Sequence, residues 1–203
     1  MKLKQVRLHF LKNRAMKITN SFAAKGVYYL ILAVQFSLSF IIISLAMANA
    51  QSQTLETVSN VDLTKYAGKW YEIASFPQRF QKGCHCTTAE YTLSDKGYVI
   101  VVNRCRKDSV NGKEAGITGK AFVVPGSGNA KLKVQFFWPF TGKYWIIDLA
   151  NDYSYAVVSH PNRKYLWILS RTPKMDAVVY EGIISRLKAK GLDTDKLQKT
   201  VQL

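Results

Sequence analysis

From about residue 69 onward, apolar and polar positions alternate in short runs broken by turn residues. Ser94-Asp95-Lys96-Gly97, Asn111-Gly112, Pro125-Gly126-Ser127-Gly128, Asn151-Asp152 and Pro161-Asn162 supply the breaks. Between them lie segments rich in Val, Ile, Tyr, Phe and Trp, which suit a half-buried pleated surface. The pattern predicts strands at about 69–77, 86–93, 98–106, 117–124, 131–138, 143–149, 153–159 and 164–171. Their short connections make consecutive strands antiparallel neighbours. The clearest alternation sets Leu132, Val134, Phe136 and Trp138 against Lys131, Lys133 and Gln135, one face buried and one wet. After Thr172-Pro173 the period changes. Ala177, Val178, Tyr180, Ile183, Ile184 and Leu187 recur at helical spacing and predict an amphipathic helix over about 174–190, ended by Gly191. The class is all-β with one carboxy-terminal α-helix. The pattern alone leaves open a sandwich with a solid core or a closed eight-stranded barrel able to hold one small ligand.

The first fifty residues follow a different rule. Seven basic side chains and no acid occupy residues 1–26, and every acidic residue of the chain lies after residue 50. Val27 to Met47 is a mostly apolar run, followed by Ala48-Asn49-Ala50. A basic start, an apolar stretch and small residues in an A-x-A arrangement predict a secretory signal peptide cleaved after Ala50, with Met16 as an alternative start. The run is also long enough to span a bilayer, so an uncleaved anchor is the alternative. The expected organisation is a signal region at 1–50, a short leader at 51–60 and one domain at 61–201. No cysteine follows the cleavage site to take a lipid, so the mature protein is expected to be soluble. The expected location is periplasmic or outer-membrane associated, an oxidising setting that permits disulfides.

Within the domain, Gly68-Lys69-Trp70-Tyr71-Glu72-Ile73-Ala74 falls on the first strand. It is followed by Asn151-Asp152-Tyr153-Ser154-Tyr155-Ala156 and by Tyr165-Leu166-Trp167-Ile168-Leu169-Ser170-Arg171-Thr172-Pro173. These three blocks, in this order, resemble the lipocalin family. The bacterial outer-membrane branch is the most similar, with plant temperature-induced lipocalins and apolipoprotein D also alike. The resemblance implies an eight-stranded antiparallel up-and-down β-barrel with a carboxy-terminal helix, open at one end. It implies a carrier of a hydrophobic small molecule, such as a fatty acid or lysophospholipid, in envelope lipid storage, transport or repair. Gly68, Trp70, Asp152, Tyr153 and Arg171 are then fold determinants. Gly68 allows a tight entry turn, Trp70 plugs the floor, and Arg171 lies over its indole. Asp152 orders the loop after the sixth strand by accepting backbone N–H groups.

Strand parity gives a candidate lining. If Trp70 points inward, so do Glu72, Ala74 and Phe76. Leu132, Val134, Phe136 and Trp138 share the inward face of the fifth strand. Tyr91 joins them from the second, with Phe80 and Tyr144 near the mouth. Such a set suits an acyl chain, although the same side chains could simply fill the barrel. Glu72 is the unusual member, because an inward carboxylate is costly unless paired. It is expected either to be hydrogen-bonded internally, for instance to Tyr91, or to meet a polar headgroup. Arg79, Lys82, Arg104, Arg106 and Lys143 are candidates for headgroup or anionic-membrane contact. Scattered basic residues argue against a nucleic-acid partner.

The thiols are Cys84, Cys86 and Cys105. If Leu93 opposes Tyr98 across the Asp95-Lys96-Gly97 turn, Cys86 faces Cys105 and Cys84 is diagonal. A register shift of two would favour Cys84 instead. A disulfide from Cys105 to Cys86 or Cys84 is expected, with one thiol left over. Adjacent strand residues point to opposite faces, so Cys84-His85-Cys86 does not close on one metal ion. No metal, cofactor or catalytic set is expected. The enzymatic rival is a cavity thiol acting on a lipid, and the structural rival is a filled barrel that binds a protein partner.

Overall fold

The computed structural model describes residues 35–37 and 54–203. Gln35–Ser37 are helical and exposed. The rest of the signal region, and residues 51–53 of the expected leader, lie outside the described residues. Thr54–Leu203 forms a compact unit of its own.

That unit begins with a one-turn helix, α1 (Leu63–Tyr66), capped by Asp62, whose carboxylate accepts from the backbone N–H groups of Thr64 and Lys65. Eight strands follow: β1 (Gly68–Ser75), β2 (Cys84–Leu93), β3 (Val99–Lys107), β4 (Glu114–Val123), β5 (Lys131–Phe137), β6 (Phe140–Leu149), β7 (Tyr155–Ser159) and β8 (Leu166–Ser170). The helix α2 (Ala177–Ala189) and a two-residue strand, β9 (Gln198–Lys199), complete the chain. Each strand from β1 to β7 pairs antiparallel with the next, and β9 pairs with β1. β1 pairs with both β8 and β2, which closes the sheet into a barrel. This resolves the choice between sandwich and barrel.

Two local differences from the sequence expectation have clear causes. α2 starts at Ala177 because the Asp176 carboxylate takes the N–H groups of Val178 and Val179. It ends at Gly191, at φ +72°, where the Leu192 N–H reaches the Leu187 carbonyl. β7 starts at Tyr155 because Asp152 first turns the chain by accepting from Ser154 N–H at 3.0 Å.

Two apolar clusters result, one on each side of the wall. Trp70, Tyr91, Val99, Val101, Ala121, Leu132, Val134, Ile146, Val158 and Leu169 belong to the interior cluster. Ala74, Phe76, Ile147, Val157, Leu166 and Ile168 belong to the other, packed with Ile183 and Leu187 of α2 and with Leu192. The helix therefore covers the outside of the barrel.

β-Bulges decide which side chain faces which cluster. Against β8, Glu72 pairs with Leu169 but Ala74 pairs with Ile168, so Ile73 is the extra residue. Parity reverses there. Ala74 and Phe76, expected in the lining, face the helix instead, and Ser75 takes the inward position. A second bulge places both Cys86 and Thr87 of β2 opposite Cys105. It joins a β2–β3 register of Leu93 with Val99, not Tyr98.

Candidate functional site

The barrel floor is built from α1 and the starts and ends of strands. Trp70 is fully buried, and its indole N–H donates to the Tyr66 carbonyl at 2.8 Å. The Arg171 guanidinium lies 3.7 Å from the centroid of the Trp70 ring. It also donates to the carbonyls of Lys65 at 2.6 Å, Lys69 at 3.0 Å and Tyr153 at 3.3 Å. Gly68, at φ +91°, lets the chain enter β1 beneath that guanidinium. The Tyr153 hydroxyl accepts from the Asp62 backbone N–H at 2.9 Å, tying the sixth connection to α1. Asp152 is fully exposed, and the hydrogen bonds from Ser154 hold its carboxyl below the usual range.

Above the indole lies a layer of three tyrosines. The Tyr144 hydroxyl is 2.7 Å from that of Tyr66 and 2.8 Å from that of Tyr91. Burial pushes all three hydroxyls up, Tyr91 to about 12. The layer is therefore neutral. The void beside it measures about 10 Å³, room for a single water at most. The lower barrel is solid, so ligand space must lie above Tyr144. Sequence parity reached Tyr91; Tyr144, expected near the mouth, stands instead in this layer just above the floor. Parity missed Tyr66, which sits on a one-turn helix too short to show a period.

Burial falls steadily from the tyrosine layer toward the far end. On β4, Ala121 and Gly119 are buried while the next inward residues, Ile117 and Ala115, are half-buried. On β5, Leu132 and Val134 are buried and Phe136 is half-buried. Phe136 lies against Gly119, where a Cβ would come within 2.7 Å of its ring. The barrel is thus plugged below and open above.

The upper wall has a polar seam. β1 and β2 pair only through Tyr71 and Thr88 and then separate. The chain terminus fills the gap: β9 pairs with Ala74 and Ser75, Thr200 N–H donates to the Ile73 carbonyl, and Cys86 N–H donates to the Val201 carbonyl. Glu72, 5% exposed, anchors this strap. Its carboxylate accepts from Thr200 at 2.6 Å, Gln81 at 2.8 Å and Ser75 at 3.0 Å. Gln81 in turn accepts from the Trp167 indole at 3.1 Å and from the Gln78 amide. The Gln202 amide donates to the carbonyls of Glu72 and Thr87. Glu72 is therefore paired internally, with the strap rather than with Tyr91. Nothing in the sequence signalled this partner, because a two-residue strand carries no readable alternation. Thr87 is buried with its hydroxyl unpaired.

The remaining expected residues divide by position. Val134, Phe136, Tyr91 and Tyr144 stand in or beside the interior cluster. Trp138 does not face inward: β5 ends at Phe137, before Pro139, and Trp138 is exposed at the hairpin tip. Phe80 is exposed in the β1–β2 connection, with its ring 6.1 Å from that of Tyr165. Tyr98, Ile100, Lys120, Gln135, Phe136 and Trp138 border an open cleft of about 320 Å³. Arg104 pairs with Glu90 at 3.0 Å, and Arg106 donates to the Gly112 carbonyl. Arg79, Lys82 and Lys143 are exposed toward the mouth.

The disulfide joins Cys84 to Cys105, with Cα atoms 5.4 Å apart, and leaves Cys86 free. Sequence geometry favoured Cys86. The bulge shifts the register and brings Cys84 onto the face of Cys105. Among the described residues, no three His, Cys, Asp or Glu side chains gather as a metal site.

A plugged floor, apolar walls and one open end are the architecture of small barrels that can hold a small molecule. The lipocalin-like domain family matches residues 61–202. The chain is 42% identical over 147 residues to the outer membrane lipoprotein Blc of Vibrio cholerae, covering 71% of this chain and 85% of the relative. It is 40% identical over 161 residues to temperature-induced lipocalin-1 of Arabidopsis thaliana, covering 75% and 85%. Apolipoprotein D of Bos taurus is 35% identical over 155 residues, covering 71% and 78%. Insecticyanin from the tobacco hornworm Manduca sexta shares the fold, with a TM-score of 0.59 at 24% identity over 73% of this chain and 84% of that one. The chain belongs to the lipocalin family, whose members bind small hydrophobic ligands.

Proposed function

We propose that this lipocalin is exported and carries one elongated lipid, a fatty acid or lysophospholipid, in the cell envelope. The observation that carries the reading is the burial gradient along the inward faces, from the sealed Trp70 floor to half-exposed Ile117 and Phe136. An acyl chain lying along Val134, Ile117 and Phe136 gains roughly 25 cal/mol for each Å² of apolar surface it buries. The unpaired Thr87 hydroxyl is a hydrogen-bonding partner for a carboxylate or phosphate near the upper wall. The basic and apolar start ending in Ala48-Asn49-Ala50 favours export. Similarity to proteins named as outer membrane lipoproteins favours the envelope. Arg79, Lys82 and Lys143 at the mouth suit peripheral contact with an anionic membrane.

The disulfide takes Cys84 and Cys105, so the thiol of the catalytic alternative is Cys86, whose alkylation should leave lipid binding intact. His160 accepts from the Asn162 N–H and packs on Tyr165. Native mass spectra of the purified chain, with lysophospholipid or long-chain fatty acid added, test the proposal. A saturable one-to-one complex is expected. No complex at any chain length would mean a filled barrel and overturn the carrier reading.

A further inference from the structure

We propose that Cys86 and the Cys84–Cys105 disulfide form a thiol–disulfide exchange centre, in which Cys105 changes partner and the barrel mouth loosens. This goes beyond the carrier reading and does not rest on it. Cys86 is half-buried and is the thiol that the disulfide leaves free. It is one of three sulfurs gathered on two paired strands. Cys84 pairs with Lys107, so its bond to Cys105 runs diagonally between β2 and β3. The bulge sets Cys86 and Thr87 together opposite Cys105. Cys105 is thus bonded to its diagonal neighbour, while the free thiol belongs to a residue directly across from it.

Cys86 occupies the bulge at φ +52°. A bulge residue in the left-handed region is ordinarily glycine, which has no Cβ to strain. Here the position carries a thiol instead, and the strap holds its backbone: the Cys86 N–H donates to the Val201 carbonyl at 2.8 Å. The bonded cysteines are 21 positions apart, and a Cys86–Cys105 loop would be two residues shorter. Loop-closure entropy changes little over that difference. Chain entropy therefore does not choose between the two pairings, and the local backbone does.

The exchange balances without an added oxidant or reductant. The Cys86 thiolate attacks the Cys105 sulfur. A Cys86–Cys105 bond forms and the Cys84–Cys105 bond breaks. The bonding pair leaves on Cys84, which takes up the proton that Cys86 gave. A thiolate released in a buried place is costly without a hydrogen-bond donor. Thr87 supplies one: it is opposite Cys105, 7% exposed, and its hydroxyl has no partner. Thr87 shares the inward parity of Ala89 and Tyr91, as Cys105 shares that of Val99 and Val101.

The consequence falls on the mouth. Cys84 opens β2 directly after the β1–β2 connection. That connection carries Gln81, which joins Glu72 to the Trp167 indole. The Cys84–Cys105 bond pins its end to β3. After exchange the pin lies two residues further along β2. The connection then keeps two hydrogen bonds as its ties to β3, from Asp108 N–H to the Gly83 carbonyl and from Lys107 Nζ to the Lys82 carbonyl.

The test uses the full chain, purified without reductant. Iodoacetamide is kept dilute enough that labelling is slower than reshuffling, which takes seconds to hours. Mass spectra of the unreduced digest then locate the label. About a tenth or more of it is expected on Cys84, the rest on Cys86, and none on Cys105. That share should not change on dilution of the protein, because the exchange is within one chain. Label confined to Cys86 would overturn the proposal. So would label on Cys105, which marks scrambling through unfolding, or a Cys84 share that falls on dilution, which marks exchange between chains. Cys84→Ser and Cys86→Ser lock the two forms. Cys84→Ser should hold a Cys86–Cys105 disulfide and no free thiol. Trypsin should cut it after the exposed Lys82 about five-fold faster than it cuts Cys86→Ser. Two free thiols in folded Cys84→Ser, or equal cleavage of the two variants, would overturn the proposal. Should Cys84→Ser fail to fold, the label on the native chain decides by itself.

Discussion

Arg171 closes the floor of the barrel by stacking and by hydrogen bonding at once. Its guanidinium covers the Trp70 ring and gathers carbonyls from α1, β1 and the loop before β7. A stacked cation contributes about 1 kcal/mol when partly desolvated, and each charged hydrogen bond about 1.5–3. Arg171 is partly solvent-screened, so Arg171→Ala is expected to cost about 2–3 kcal/mol, read as a lower urea midpoint at unchanged m. The tyrosine layer gives a pH prediction with a definite sign. The three hydroxyls keep their protons in the folded chain beyond the pH at which an unfolded chain releases them. Above about pH 10, the unfolded state therefore binds fewer protons, and stability falls as pH rises. The contribution should be complete below pH 10 and lost through about 12, the value for Tyr91. Denaturation midpoints across pH 9–12 check this, and Tyr144→Phe should flatten the fall.

At the level of elements, the sequence revealed periods but not their interruptions. All eight strands and the helix were readable because alternation and helical spacing persist over several residues. Parity was not readable past Ile73 or Cys86, because one inserted residue reverses every later side chain. This is why Ala74 and Phe76 left the lining, and why Cys84 rather than Cys86 met Cys105. Phe76→Ala should therefore cost about 3–5 kcal/mol of stability through the helix interface while leaving lipid affinity unchanged. A matching loss of affinity in the folded variant would return Phe76 to the lining. The terminal strap makes a separate prediction. Cys86 is half-buried and its N–H is held by Val201. Ending the chain after Leu197 removes that partner and the Thr200 hydroxyl from Glu72. Alkylation of Cys86 by iodoacetamide should then accelerate at least ten-fold under native conditions, whereas an unchanged rate would show that the seam holds without the strap.

For the whole molecule, the fold was legible because a few blocks carry the barrel: the Trp70 strand, the Asp152 turn and the Arg171 strand end. The candidate site was legible only in part. Its walls follow from alternation, but its polar seam depends on Thr200 and Gln202, which are far from Glu72 in sequence and carry no local signal. The barrel that results is polarised, with a solid floor under a neutral tyrosine layer and an open rim bearing basic and aromatic side chains. The most direct test of this account is a calorimetric titration of the chain with lysophospholipid at several temperatures, beside Ile117→Trp. Ile117 lies on the inward face of β4 just above Gly119, so a tryptophan there fills the shaft without touching the floor. One site per chain, a negative heat-capacity change and loss of binding in the folded variant are expected. Binding that is absent from the native chain, or that survives unchanged in the variant, would contradict a lipid held inside the barrel.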